Sequence, residues 1–296
     1  MPFKPVPARI NLLPAKNSPR VVIVRRKPSK TVHIMLWDTA TDEIEHGSWF
    51  TGNFDLWGCD LSFDGSYLVY GAQSKGARHH GEAWSGVCRP PWLKTMVDVY
   101  SQSGYSAGYW SDPGVLRAHD PRWFKPRAKK DLFSIFETLF PSAFGIRHET
   151  VNPLPFEVRG FRDVTSVPPL PAKFVLRLER DGWRRNGSMP SELRKWRVKQ
   201  PVKGDPGWSW RFSPKHPELI MRFEGNVDNR GYVFDFSMPE NPALIDPEVQ
   251  WATWTCEGDL ILARGGAIER YTLPALRSGK PTFRLDLEPL ARPVQS

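Results

Sequence analysis

Cysteine is scarce in this chain: Cys59, Cys88 and Cys256 are the only three in 296 residues. An odd number without paired spacing argues against a disulfide framework and fits a reducing compartment, so a cytoplasmic location is expected. No apolar stretch approaches the roughly 18 residues of a membrane helix. Met1 to Ile10 carries proline at positions 2, 5 and 7 with no apolar run behind it, so no signal peptide is expected either. Phosphate-cradling loops are also missing. Neither Gly-x-Gly-x-x-Gly nor a Walker-type Gly-Lys-Ser/Thr occurs, which argues against nucleotide chemistry.

Charge is unbalanced toward the positive, with a formal net charge of +9 and a pI near 9.5. Such a field attracts nucleic acid, anionic lipid or an acidic partner. The basic residues are dispersed, however. Local clusters such as Arg25-Arg26-Lys27, residues 125–130 and Arg184-Arg185 are short, so a surface that keeps the protein dissolved accounts for most of the excess.

Turn residues and aromatics are abundant: 29 Pro, 23 Gly and 13 Trp. Proline at about a tenth of the chain, against roughly 5% on average, favours many short strands over long helices. A strand signature then recurs. Leu61-Ser62-Phe63-Asp64-Gly65-Ser66-Tyr67-Leu68 aligns without a gap on Trp254-Thr255-Cys256-Glu257-Gly258-Asp259-Leu260-Ile261. Each copy has an apolar opening residue, an acidic-Gly turn and a buried-strand run. The glycine supplies the positive φ of a tight turn. A third copy, Phe212-Ser213-Pro214-Lys215-His216, starts 42 residues before the second. That interval is close to one propeller blade of about 40–45 residues.

Strands are expected over 21–24, 31–37, 43–50, 83–88 and 94–100, and β structure again over 173–183 with a turn at Asp181-Gly182. A helix is expected over 131–140, capped by Asp131, with apolar residues at 132, 135, 136 and 139 and Pro141 after its end. The fold class expected is all-β: an irregular β-propeller-like array of short antiparallel blades with one short helix in an insertion. Residues 1–20 read as an extended lead-in and 21–296 as a single propeller-like domain with an insertion at about 101–172.

Leu36-Trp37-Asp38-Thr39-Ala40-Thr41 is similar to the strand-end Trp-Asp turn of WD-repeat propellers. Phe63-Asp64-Gly65-Ser66-Tyr67-Leu68 resembles the Asp-Gly strand of WD-repeat and Tol-type propellers, with Phe63 in place of their usual proline. Together with Trp84-Ser85-Gly86-Val87-Cys88 and Arg180-Asp181-Gly182-Trp183, these motifs resemble uncharacterised bacterial propeller-like proteins of about 300 residues. The resemblance implies a fold and no activity.

Chemistry is harder to place. Cys59, His79, His80 and Cys88 have no structural zinc spacing, so no metal or other cofactor is expected. His119 beside Asp120 and His148 beside Glu149 are candidates for hydrolytic catalysis, but neighbours on a strand face opposite ways. The aromatic-basic region 105–127 stands out. Tyr109, Trp110, Trp123 and Phe124, with Arg117, Arg122, Lys125 and Arg127 around them, form a candidate partner-binding patch suited to an acidic protein surface. The same aromatics could instead pack as a flap on the ring. A cytoplasmic, non-enzymatic protein-binding scaffold in a bacterial multi-protein system is the expected function. The alternatives are an enzyme using the central propeller pocket and a nucleic-acid binder driven by positive charge.

Overall fold

The structure is a computed structural model and describes residues 6–27, 30–73, 83–101, 108–118, 125–126, 155–160, 172–187, 207–226 and 232–293. Four antiparallel sheets stand in a propeller-like ring, with a smaller three-stranded sheet beside the second. The first sheet runs in order through β1 (Arg9–Pro14), β2 (Arg20–Arg26), β3 (Thr31–Asp38) and β4 (Glu43–Thr51). The second holds β5 (Asn53–Leu61), β6 (Leu68–Gln73), β7 (Ala83–Cys88) and β8 (Thr95–Ser101), extended by β11 (Lys125–Pro126). The third places β10 (Val115–Ala118) between β9 (Tyr109–Asp112) and β12 (Glu157–Gly160), with β10 and β12 parallel. The fourth is β13 (Arg184–Arg185), β14 (Trp208–Trp210), β15 (Leu219–Asn226) and β16 (Tyr232–Ser237). The fifth is β17 (Val249–Trp254), β18 (Leu260–Arg264), β19 (Ala267–Tyr271) and β20 (Phe283–Asp286). Two helices are described, α1 (Ala172–Asp181) and α2 (Leu273–Ser278). Neither is long and apolar enough to cross a membrane.

Unbroken apolar runs mark strands covered on both faces, because side chains alternate. In β2, Val21 and Ile23 join the core shared with the fifth sheet, while Val22 and Val24 join the core shared with the second. In β3, Met35 and Trp37 take the first side and Val32 and Ile34 the other. Trp37, Leu61, Leu68, Phe234, Trp254 and Ile261, all expected inside, are all buried. The strands expected over 21–50 and 83–100 form at nearly the expected bounds.

The repeated turns share their hydrogen bonds as well as their sequence. Gly65 and Gly258 lie at φ 74° and 87°, and each N–H donates to the carbonyl three residues back, on Ser62 and Thr255. The hydroxyls of those two residues close the loops from within: Tyr67 N–H donates to Ser62 Oγ, and Asp259 N–H to Thr255 Oγ1. In the third copy Ser213 holds the same place, and His216 N–H donates to its carbonyl at 2.9 Å. These turns join β5 to β6 and β17 to β18, the first two strands of their sheets, and β14 to β15, the middle pair of theirs.

The ring closes without strand exchange. β1 falls inside the segment 1–20 that read as a lead-in, opens the first sheet, and lies against β17 and β5. Ile10 N–H donates to Gln250 Oε1 at 3.0 Å. Arg25, buried, donates to the carbonyls of Leu287 and Glu288 at 2.7 and 3.0 Å. Arg270 on β19 pairs with Asp42 in the β3–β4 turn at 2.6 Å and with Asp259 at 2.7 Å.

One expectation is overturned. Residues 173–183 are not β structure; α1 fills most of that span, and Gly182 (φ 111°) stops it by donating to Leu178 O at 3.1 Å. Phe174 and Leu178 recur at i, i+4 and are buried, as is Arg177, which gives one face of a 3.6-residue period rather than the alternation of a strand. The helix expected over 131–140 lies outside the described residues.

Candidate partner-binding face

The third sheet carries the described part of the aromatic-basic region, and side-chain parity divides it in two. On β9 and β10, Trp110, Leu116 and Ala118 point inward and are buried. They pack with Phe63, Val69, Val87 and Phe156 against the second sheet. Trp110 meets Phe156 edge-on at 5.1 Å and lies 6.1 Å from the Tyr67 ring. The opposite face carries Tyr109, Ser111, Val115 and Arg117, half-buried, with Glu157 and Arg159 exposed on β12. Arg117 is level with Tyr109 on one side and with Arg159 on the other, so a tyrosine and two arginines stand in one row across three strands. Arg117 Nε donates to Ser111 Oγ at 3.2 Å. Arg159 grips Glu157 through two 2.7 Å bonds. Burial raises the Tyr109 hydroxyl above its ordinary pKa, with Arg117 opposing, so it is protonated at neutral pH and can donate.

A buried ion pair holds the hairpin in place. Asp60 on β5 accepts from Trp110 N–H at 2.7 Å, and Arg180 on α1 donates to Trp110 O at 2.6 Å. Arg180 and Asp60 are bonded to each other at 2.6 and 3.1 Å, with side chains 9% and 4% exposed. Both backbone groups of Trp110 on the edge of β9 are thereby satisfied by charges, and charge-assisted bonds are the stronger kind. Burial works against the Arg180 charge, but Asp60 and Asp181 outweigh it and raise its pKa. The helix meets β5 at two further places: Lys173 pairs with Asp55 at 3.5 Å, and Arg177 donates to Cys59 O. Positions 173, 177 and 180 form one helical stripe, which is how a single face of α1 tracks β5.

The expected patch is therefore only partly assembled here. Tyr109 and Arg117 share the outer face. Trp110 is corrected to the core: it is fully buried, and parity aims it away from its neighbours Tyr109 and Ser111. Lys125 lies on β11, level with Asp98 at the edge of the second sheet. Arg122, Trp123, Phe124 and Arg127 lie outside the described residues. Arg159 and Ser111 join the face without having been anticipated, and so do its supports Asp60 and Arg180. A readable signal existed for Arg180, the i, i+3 and i, i+4 recurrence from Lys173 onward. None existed for Arg159, which reaches the row through a parallel pairing distant in sequence.

An aromatic cluster joins α1 to three of the sheets. Trp57 on β5 lies 5.3 Å from both Phe174 of α1 and Phe234 of β16, and 6.0 Å from Trp251 of β17. A cavity of about 20 Å³ beside Leu12, Asp60, Arg177 and Asp181 has room for one water. Cys59 and Cys88 are buried between the first two sheets, and His79 and His80 lie outside the described residues. Residues Gly104-Tyr105-Ser106-Ala107-Gly108 have the spacing of a nucleophile elbow, but Gly108 leads directly into strand β9, where an elbow requires a helix. No protein-family model matches this chain, no curated protein matches it significantly in sequence, and no solved structure matches it significantly in fold.

Proposed function

We propose that this protein is a non-enzymatic scaffold that binds an acidic protein surface across the outer face of β9, β10 and β12. The observation that carries this reading is the parity split of the hairpin. Trp110 and Leu116 fix the strands from inside, and Asp60 and Arg180 fix the edge, which leaves Tyr109, Arg117 and Arg159 in a row on a rigid base. Tyrosine and arginine are among the residues that contribute most at interfaces, and a fixed base reduces the entropy lost on binding. Ring folds commonly serve as interaction platforms because they hold a binding surface on a rigid framework, and that step is an analogy of fold. A reducing compartment such as the cytoplasm suits three free cysteines. The likeness to WD-repeat and Tol-type propellers rests on the acidic-Gly turns.

Co-purification at physiological salt followed by mass spectrometry tests the reading. A stoichiometric protein partner retained by the wild type and lost in Arg117→Glu/Arg159→Glu, with unchanged denaturation midpoint, is the expected result. A partner retained equally by that variant, or recovery of nucleic acid or a small molecule alone, would overturn it.

A further inference from the structure

A second surface lies on the flank of the first sheet, and it has the opposite charge. Trp92 is 52% exposed, and no other tryptophan among the described residues is exposed. Its placement is held by several bonds rather than by a free loop. Trp92 N–H donates to Arg89 O at 3.1 Å, and its indole N–H to Glu45 Oε1 at 3.0 Å. On either side, Ser48 N–H donates to Pro91 O at 3.2 Å, and Leu93 N–H to Ser48 Oγ at 2.9 Å. Gly47 makes this close seat possible: a Cβ there would stand 2.2 Å from Pro91 O. An indole fixed in place yet left in water is pre-organised for contact, since little rotamer freedom remains to be lost.

The charge around it selects the partner. From Asp38 to Glu45 the chain carries Asp38, Asp42, Glu43 and Glu45 and no basic residue. Asp42 is taken by Arg270, and Asp38 accepts from Ala40 N–H. Glu43 and Glu45, two apart on β4, share one face and are exposed, with no cationic partner among the described residues. Lys94, exposed, is the nearest basic residue in sequence to the indole, and Arg89 is drawn over the Tyr67 ring at 5.8 Å.

We propose that this flank docks an arginine-bearing extended segment of a partner protein. A guanidinium stacks on the indole of Trp92 and bonds the carboxylate oxygen of Glu45 that the indole leaves open, while Glu43 receives a second basic residue. A planar cation suits both the ring face and the carboxylate. This surface is separate from the outer face of the third sheet, so each can fail alone.

Fluorescence anisotropy at 0.15 M salt tests it with a labelled octapeptide of alternating arginine and serine, against a control of alternating glutamate and serine. The net charge of +9 repels the basic peptide, so its binding has to come from a local site. Trp92→Ala is expected to weaken it about tenfold or more, as a hot-spot loss above about 1.4 kcal/mol would. Glu45→Gln keeps an acceptor for the indole and removes the charge, and is expected to weaken it about threefold. Both variants should keep the wild-type urea midpoint, and Arg117→Glu/Arg159→Glu should bind the basic peptide no less tightly than wild type. Absence of binding by the wild type, or equal affinity in Trp92→Ala, would overturn the proposal.

Discussion

Replacing Arg180 by leucine tests the support of the proposed binding face. The substitution removes the 2.6 and 3.1 Å bonds to Asp60, the 2.6 Å bond to Trp110 O and the 2.8 Å bond to Asp181. Asp60, 4% exposed, keeps only Trp110 N–H among these partners, and the Trp110 carbonyl loses its cationic donor. Breaking a buried pair from one side leaves an uncompensated charge and costs about 3–5 kcal/mol. Against a total stability of roughly 5–15 kcal/mol this is a large fraction. Asp60→Asn leaves Arg180 paired with Asp181 and is expected to cost less, about 1–3 kcal/mol. The double variant should cost less than the two single losses combined, with a coupling of about 0.5–3 kcal/mol. Urea denaturation followed by fluorescence and by circular dichroism gives all four corners, provided both probes report one transition. A loss under about 1 kcal/mol for Arg180→Leu, or strict additivity in the cycle, would refute the pairing of α1 with β5 and β9.

Two further outcomes follow from the turns and the first sheet. Gly65→Val and Gly258→Val place a β-branched residue at φ 74° and 87°, with the new Cβ 2.7 Å from Arg20 Cβ and from Phe212 Cε1 respectively. Each should lower the urea midpoint by the equivalent of about 1–3 kcal/mol, and wild-type midpoints would show that the turns relax freely. His33 is buried in a row with Arg25 and Trp49, its ring stacked on Trp49 at 4.0 Å, and burial, then His46 and Arg25, lower its pKa to about 4 from 6.5. The unfolded chain binds this proton more readily than the folded one, so the stabilisation is complete above about pH 6.5 and is lost as pH falls from there toward 4. Midpoints measured from pH 7.5 to 4.5 should show that decline and His33→Phe should flatten it; an unaltered slope would place the proton uptake elsewhere.

Much of the ring was legible in the chain because its signals are local. The turn glycines need positive φ wherever they sit, and Ser62, Ser213 and Thr255 bond within their own loops. Runs such as Val21-Val22-Ile23-Val24 report burial on both faces from alternation alone. The 173–183 segment was misread because an acidic-Gly pair serves a helix end as well as a hairpin, and Asp181-Gly182 is the former. The candidate site was half legible: composition pointed to Tyr109 and Arg117 but could not separate Trp110 from them.

Sequence by itself determined the strand-rich composition, the phase of the repeated turns and the inward-facing residues of the regular strands, since each depends on neighbours a few positions away. Only the tertiary structure decided which surfaces the side chains share. Arg117 stands level with Arg159 because β10 and β12 run parallel, Asp60 meets Arg180 because α1 lies along β5, and Trp92 stays in water because Gly47 lets Pro91 seat on β4. Those pairings join residues tens to more than a hundred positions apart, so they depend on how the sheets pack around one centre and leave no periodic trace in the chain.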